Sequence, residues 1–188
     1  SQAGSVPFVY EDLNWLTSVN PIGGLAFPSR VLSMFSLVLT AHLWGFDPWA
    51  FHLGNVLLHL LNGWLVWQIG RSLEWDGPST TLSTALFLWH PINSHAVLYV
   101  RARTDLLSTA FVLGAICLSL RTPSHLVRVW WGFSLLVLLL CAMASKEIAI
   151  VGFPLLCLTR WLRSGTPSLS HRMIHAIGIG VVLVLAVA

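Results

Sequence analysis

The chain has 188 residues, of which 56% are apolar and only 9% charged, and its mean hydropathy is +0.78. A soluble domain of this length carries roughly a quarter charged residues, so the composition excludes an ordinary soluble globule and points to an all-α polytopic membrane protein. Ten Lys and Arg against seven Asp and Glu leave +3, too small an excess for a nucleic-acid footprint.

Residues 1–29 read as a polar, loop-like segment punctuated by Pro7, Asn20-Pro21, Gly23-Gly24 and Pro28. Within it, the adjacent carboxylates Glu11 and Asp12 are flanked by Phe8, Tyr10 and Trp15, aromatics of the kind that favour a membrane–water boundary. Arg30 to Trp44 is apolar but short of the roughly 20 residues that span a bilayer, so it reads as a juxtamembrane or tilted helix closed by Gly45-Phe46-Asp47-Pro48. Pro48 to Gly70 is long enough to cross. It carries His52, Asn55, His59 and Asn62 at spacings of 3, 4 and 3, which puts all four on one stripe of a helix. Such a stripe is costly against lipid and is expected to face protein or a polar cavity.

Arg71 to Ser79 reads as a turn, and Thr80 to Trp89 leads back into the most polar interior stretch, His90 to Asp105. Two histidines, two arginines and an aspartate between hydrophobic segments mark a functional site by default, or else a polar loop that caps two helices. Leu106 to Leu120 is the next expected span, with Thr104 or Asp105 as its N-cap. A turn over 121–128 follows, then a span from Val129 to Ala144 ending at Ser145-Lys146-Glu147, then Ile148 to Leu158, and a last apolar run from Met173. Cys117, Cys141 and Cys157 lie inside apolar runs and read as small buried hydrophobes. The start lacks a signal-peptide pattern and the final run stops while still apolar, so a native chain is expected to continue past both termini.

The loops suggest an orientation. With residues 1–29 on one side, Arg71, Arg121, Arg128, Arg160, Arg163 and Arg172 fall together on the other, against Arg30, Arg101, Arg103 and Lys146. That bias places the larger arginine set in the cytoplasm. Glu11, Asp12, Asp47, Asp105 and Glu147 then collect outside it with His90, His95, Arg103 and Lys146. Ionisable groups delivered to one face by several distant loops are what an active site at a membrane surface needs.

Several of these pieces resemble one family. Phe8-Val9-Tyr10-Glu11-Asp12 with Asn20 is similar to the first extracytoplasmic loop of C-type (GT-C) glycosyltransferases, and within them to the transmembrane-and-tetratricopeptide-repeat O-mannosyltransferase-like proteins, whose pattern is F-x-Y-D-D. Phe51-His52-Leu53-Gly54-Asn55 through His59 resembles their F-H-x-x-N-x-x-x-H helix. His90-Pro91-Ile92 and Ala102-Arg103-Thr104-Asp105-Leu106-Leu107 resemble their H-P-I-H-T-E-A-V and G-R-A-D-L-L segments, and Ser145-Lys146-Glu147 their S-K-E. The pieces keep their order from residue 8 to about 150. The chain departs from the family in having Glu11 for the first Asp, His95 for a Glu, and Val31 where a Pro usually follows the arginine.

The resemblance implies a GT-C-like transmembrane helix bundle of about five or six membrane helices plus the juxtamembrane helix, divided as 1–47 and 48–188. It implies sugar transfer from a polyprenyl-phosphate-linked donor to an extracytoplasmic acceptor, in a bacterial inner membrane or an ER-type membrane. Glu11 and Asp12 would be the catalytic carboxylates, and His52, Asn55, His90, Arg103, Asp105, Lys146 and Glu147 would contact substrate. No metal ligand is assigned, although a divalent cation is a candidate cofactor. The expected partners are the lipid-linked donor, membrane lipids and other membrane subunits, with no nucleic acid. Lipid phosphate wants cations where its charge develops, and the acceptor hydroxyl wants a carboxylate within reach. The alternative is a catalytically inactive relative serving as a transmembrane subunit of a larger complex. Haem or pigment ligation by His52, His59, His90 and His95 is disfavoured, since His52 and His59, seven residues apart, stack about 10 Å apart along a helix and no C-x-x-C-H is present.

Overall fold

The computed structural model describes residues 30–121 and 128–164, so Glu11, Asp12 and the final apolar run lie outside the described residues. The described chain is helical. Helix α1 covers Val31–Trp44, α2 Pro48–Ser72, α3 Gly77–Trp89, α4 Ile92–Leu98, α5 Arg103–Ser119, α6 Arg128–Ser145 and α7 Gly152–Ser164, with short 3-10 turns at Val100–Ala102 and Glu147–Val151.

Local chemistry explains the starts of the longer helices. Asp47 caps α2 by accepting the N–H of Trp49 at 3.1 Å, with Pro48 in the first turn, where a missing N–H costs nothing. Asp76 caps α3 in the same way through the N–H of Ser79 at 3.2 Å, again with a proline behind it. Neither Thr104 nor Asp105 caps α5: the helix begins two residues or less before them, behind Ala102, without a side-chain cap.

Helix α5 is the hub, with α2, α6 and α7 packed around it. Leu65 and Ile69 of α2, Leu113 and Ile116 of α5, Leu120, and Leu155 and Leu156 of α7 form the main core. Helix α6 runs antiparallel to α5. At one end the indole of Trp131 donates to the Leu118 carbonyl at 3.0 Å, and at the other Lys146 pairs with Asp105. Helix α3 returns along α2, where Gly63 lets Leu88 approach so closely that a Cβ would lie 2.5 Å from Leu88 Cδ2.

The expectation of five or six membrane helices is corrected here. Among the described residues one helix, Val100–Ser119, is long and apolar enough to cross a membrane, and Val31–Trp44 and Val129–Ser145 are shorter apolar helices. Helices α3 and α7 have 13 residues each, about 20 Å at 1.5 Å per residue, well short of a hydrocarbon core of roughly 30 Å. Helix α2 has the length, at 25 residues, but its His and Asn stripe dilutes its apolar character. The apolar runs 80–89, 106–120 and 148–158 are each shorter than the roughly 20 residues a bilayer takes, and the non-α backbone at 99–102 and 146–151 keeps them from extending into longer helices. Large apolar side chains on α1, α2 and α6, among them Phe35, Leu57, Trp64, Trp130, Phe133 and Leu140, are nonetheless exposed. Apolar surface of this extent is unusual on a soluble monomer.

Candidate functional site

Three distant segments meet where α5 begins and α6 ends: the start of α1, the start of α5, and the Ser145-Lys146-Glu147 corner. Ser33, fully buried, donates its hydroxyl to the Ser145 carbonyl at 3.2 Å and ties α1 to the end of α6. Above that contact Lys146 pairs with Asp105, and Arg30 reaches Glu147 at 3.5 Å. The side chains of Lys146 and Asp105 are 28% and 22% exposed, those of Arg30 and Glu147 35% and 61%. The inner pair is therefore the more sheltered from solvent screening.

Beneath the pairs lies Arg103, 3% exposed. Its Nε donates to Asn55 Oδ1 at 2.9 Å, one terminal nitrogen donates to Thr40 Oγ1 at 2.7 Å and the Ser36 carbonyl at 3.4 Å, and the other donates to the Phe51 carbonyl at 2.7 Å. The guanidinium also lies 5.7 Å from the centroid of the Phe51 ring. Every acceptor here is neutral. Such a cation is tolerated in a buried site because four of its five N–H donors are bonded to protein.

The polar stripe of α2 faces protein, as its chemistry demands. Asn55 donates to the Tyr99 carbonyl at 2.9 Å, Asn62 to the Leu106 carbonyl at 3.0 Å, and His59 Nε2 lies 3.1 Å from the Leu88 carbonyl with its ring stacked on Phe87. His52 is half-buried, and its Nε2 has no protein partner. His90 is exposed and accepts the N–H of Ile92 on Nδ1 at 3.2 Å, starting α4. His95 stacks on Tyr99 at 4.0 Å. No group of three His, Cys, Asp or Glu comes together among the described residues.

The structure thus brings Asp105, Lys146 and Glu147 together and joins Arg103 to Asn55 at the start of the helix that carries Asp105, while the contacts of His90 and His52 lie outside these two groups. Arg30, Ser36, Thr40 and Gly54 were not singled out from sequence. A signal was there for two of them: Ser33, Ser36 and Thr40 repeat the 3, 4 spacing of the α2 stripe on a short apolar helix.

The described residues define an all-α bundle with many large apolar side chains exposed and one buried, hydrogen-bonded arginine, Arg103. Its homologues are protein O-mannosyl-transferases, and the chain resembles the family anticipated from its motifs. It is 35% identical over 130 residues, 68% of the chain, to protein O-mannosyl-transferase Tmtc1 of Drosophila melanogaster. It is 32% identical over 122 residues, 63% of the chain, to TMTC2 of Mus musculus, and 30% over 127 residues, 65% of the chain, to TMTC3 of Homo sapiens. The matches span only 15%, 15% and 14% of these relatives. No family model and no solved structure matches the chain.

Proposed function

We propose that this chain is the membrane part of a glycosyltransferase that moves a sugar, mannose by similarity to its relatives, from a polyprenyl-phosphate donor to an acceptor hydroxyl outside the cytoplasm. The observation that carries the reading is the convergence of Arg30, Asp105, Lys146 and Glu147 from three distant segments, in a chain whose homologues are protein O-mannosyl-transferases. In the reaction the acceptor oxygen attacks the anomeric carbon, its proton passes to Glu11 or Asp12, and the bond to phosphate breaks with the electron pair leaving on the phosphate. Lys146 and Arg30 supply positive charge to that leaving group. Asp105 and Glu147 hold the two cations in place before the donor arrives. His52 and His90 contribute polar contacts at the same end, and residues 1–47 form the extracytoplasmic loop with its juxtamembrane helix.

The test is mannose transfer from polyprenyl-phosphate-mannose by the full-length protein. Asp12→Asn is expected to lower the rate roughly a hundred- to a thousandfold, and Lys146→Ala to weaken use of the donor. No transfer by the wild type at saturating donor, to peptide and membrane-protein acceptors alike, rejects the reading. A second reading, an inactive relative that serves as a scaffold, is favoured by one feature: the inner cations already have protein partners. It predicts that Asp12→Asn leaves assembly of the full-length complex unchanged and that no variant alters transfer.

A further inference from the structure

We infer that Arg103 is an interhelical lock that positions the Asp105–Lys146 pair, and that it does not itself grip the donor phosphate. This inference rests on the glycosyltransferase reading for its effect on rate, but the lock stands on geometry alone. All three guanidinium nitrogens are spent on protein acceptors drawn from two helices, Ser36 and Thr40 of α1 and Phe51 and Asn55 of α2. Asn55 then extends the chain of bonds, donating to the Tyr99 carbonyl at 2.9 Å and the Val97 carbonyl at 3.5 Å. One side chain therefore fastens α1, α2, the 97–102 corner and its own helix α5. A phosphate ligand needs paired donors directed at solvent or a cleft, and a residue 3% exposed with four of its five N–H donors bonded to protein cannot offer such a pair without breaking the lock.

Gly54 is the second half of the device. A Cβ at this position would lie 2.6 Å from one terminal nitrogen of Arg103 and 3.2 Å from the guanidinium carbon. Glycine in the middle of a helix is otherwise unfavourable, so its presence at this point in α2 is explained by the volume the guanidinium occupies. Because α5 begins at Arg103, fixing that residue fixes the first turn, and with it Asp105, whose carboxylate holds Lys146. Arg103 acts on the reaction through these two residues and is a positioning residue.

The experiment is a mutant cycle in the full-length protein with Gly54→Ala, Arg103→Ala, the double variant, and Arg103→Lys, read by thermal unfolding in detergent and by kcat and KM for polyprenyl-phosphate-mannose. Gly54→Ala and Arg103→Ala are each expected to lower Tm by several degrees. In the Arg103→Ala background Gly54→Ala should cost nothing, or raise Tm, because the clash has gone and alanine is the better helix former. Well below Tm, Gly54→Ala and Arg103→Ala should lower kcat, by up to about a hundredfold for a displacement near 1 Å, with the donor KM little changed. Arg103→Lys should recover part of kcat through the acceptors that one ammonium still reaches. Additive losses in Tm overturn the lock. An Arg103→Ala protein with unchanged Tm and only a raised donor KM makes Arg103 a phosphate ligand instead. If the wild type transfers no sugar, the enzymatic reading falls, and the Tm cycle still decides for or against the lock.

Discussion

Asn55 and Arg103 form a two-ended link: Asn55 accepts from the arginine Nε at 2.9 Å and donates its own amide hydrogen to the Tyr99 carbonyl at 2.9 Å. The amide can do both at once because it carries an accepting oxygen and a donating NH2 at separate atoms. Asn55→Asp keeps an acceptor for Arg103 and loses the donor to Tyr99, whereas Asn55→Leu loses both and leaves a buried cation one bond short. The expected cost is about 1–3 kcal/mol for Asn55→Asp and about 3–5 kcal/mol for Asn55→Leu. Denaturant or thermal unfolding in detergent checks the order, and an Asn55→Leu protein as stable as Asn55→Asp would contradict it.

The α2–α3 contact makes a separate prediction. Adding a methyl at Gly63 pushes into Leu88, whose Cδ2 and Cγ would lie 2.5 and 2.9 Å away. Overpacking of this kind costs about 1–3 kcal/mol, more than the roughly 1 kcal/mol that alanine gains over glycine in a helix. Gly63→Ala should therefore destabilise, and Leu88→Ala in the same chain should relieve the clash. Worse-than-additive loss in the double variant would place the tight contact elsewhere.

At the far end of α3, Asp76 is held below its ordinary value of 3.8 by hydrogen bonds from Ser79, the hydroxyl first and the backbone N–H second. A carboxylate with a depressed folded value stabilises fully above the unfolded value and loses that contribution as the pH falls through the folded one. Protection of the first-turn amides of α3, Ser79 above all, should thus be flat from pH 7 to 5 and fall below about pH 3.8. Asp76→Asn keeps an accepting oxygen without a charge. It should remove the pH dependence of that protection, which amide exchange measures directly.

Much of this was legible in the chain itself. The spacing of His52, Asn55, His59 and Asn62 placed them on one protein-facing stripe, and three of the four have protein partners across the bundle. The order Asp105, Lys146, Glu147 around two helix breaks anticipated their meeting. The number of membrane helices was not legible, because hydropathy counts apolar residues and cannot see where a backbone bends. The breaks at 90–105 and 145–147 were visible in the sequence, but not that helices beside them, α3 and α7, would be only 13 residues long. Nor was the fate of Arg103: an arginine beside an aspartate in sequence reads as a site charge, and only the positions of Ser36, Thr40 and Gly54 on neighbouring helices reveal that its donors turn inward. Glu11 and Asp12 lie outside the described residues.

The Lys146–Asp105 pair separates stability from catalysis more cleanly than any other contact here. Both side chains are about a quarter exposed, so solvent screens the pair and its loss is expected to cost about 1 kcal/mol or less. Its effect on transfer should be far larger, because Lys146 is the cation proposed to meet the leaving phosphate. Asp105→Asn frees the ammonium without removing it, and Lys146→Ala removes it. Asp105→Asn is therefore expected to leave the donor KM within a few-fold and to lower kcat through loss of aim, while Lys146→Ala raises KM and lowers kcat roughly a hundredfold or more. Exchanging the two residues, Asp105→Lys with Lys146→Asp, should restore Tm to near the wild-type value and leave transfer impaired, since the positive charge then sits on α5 and not at the end of α6. Steady-state kinetics and unfolding on the same preparations test this. Recovery of full activity by the exchanged protein would mean that the pair joins two helices and that its lysine has no separate duty toward the donor.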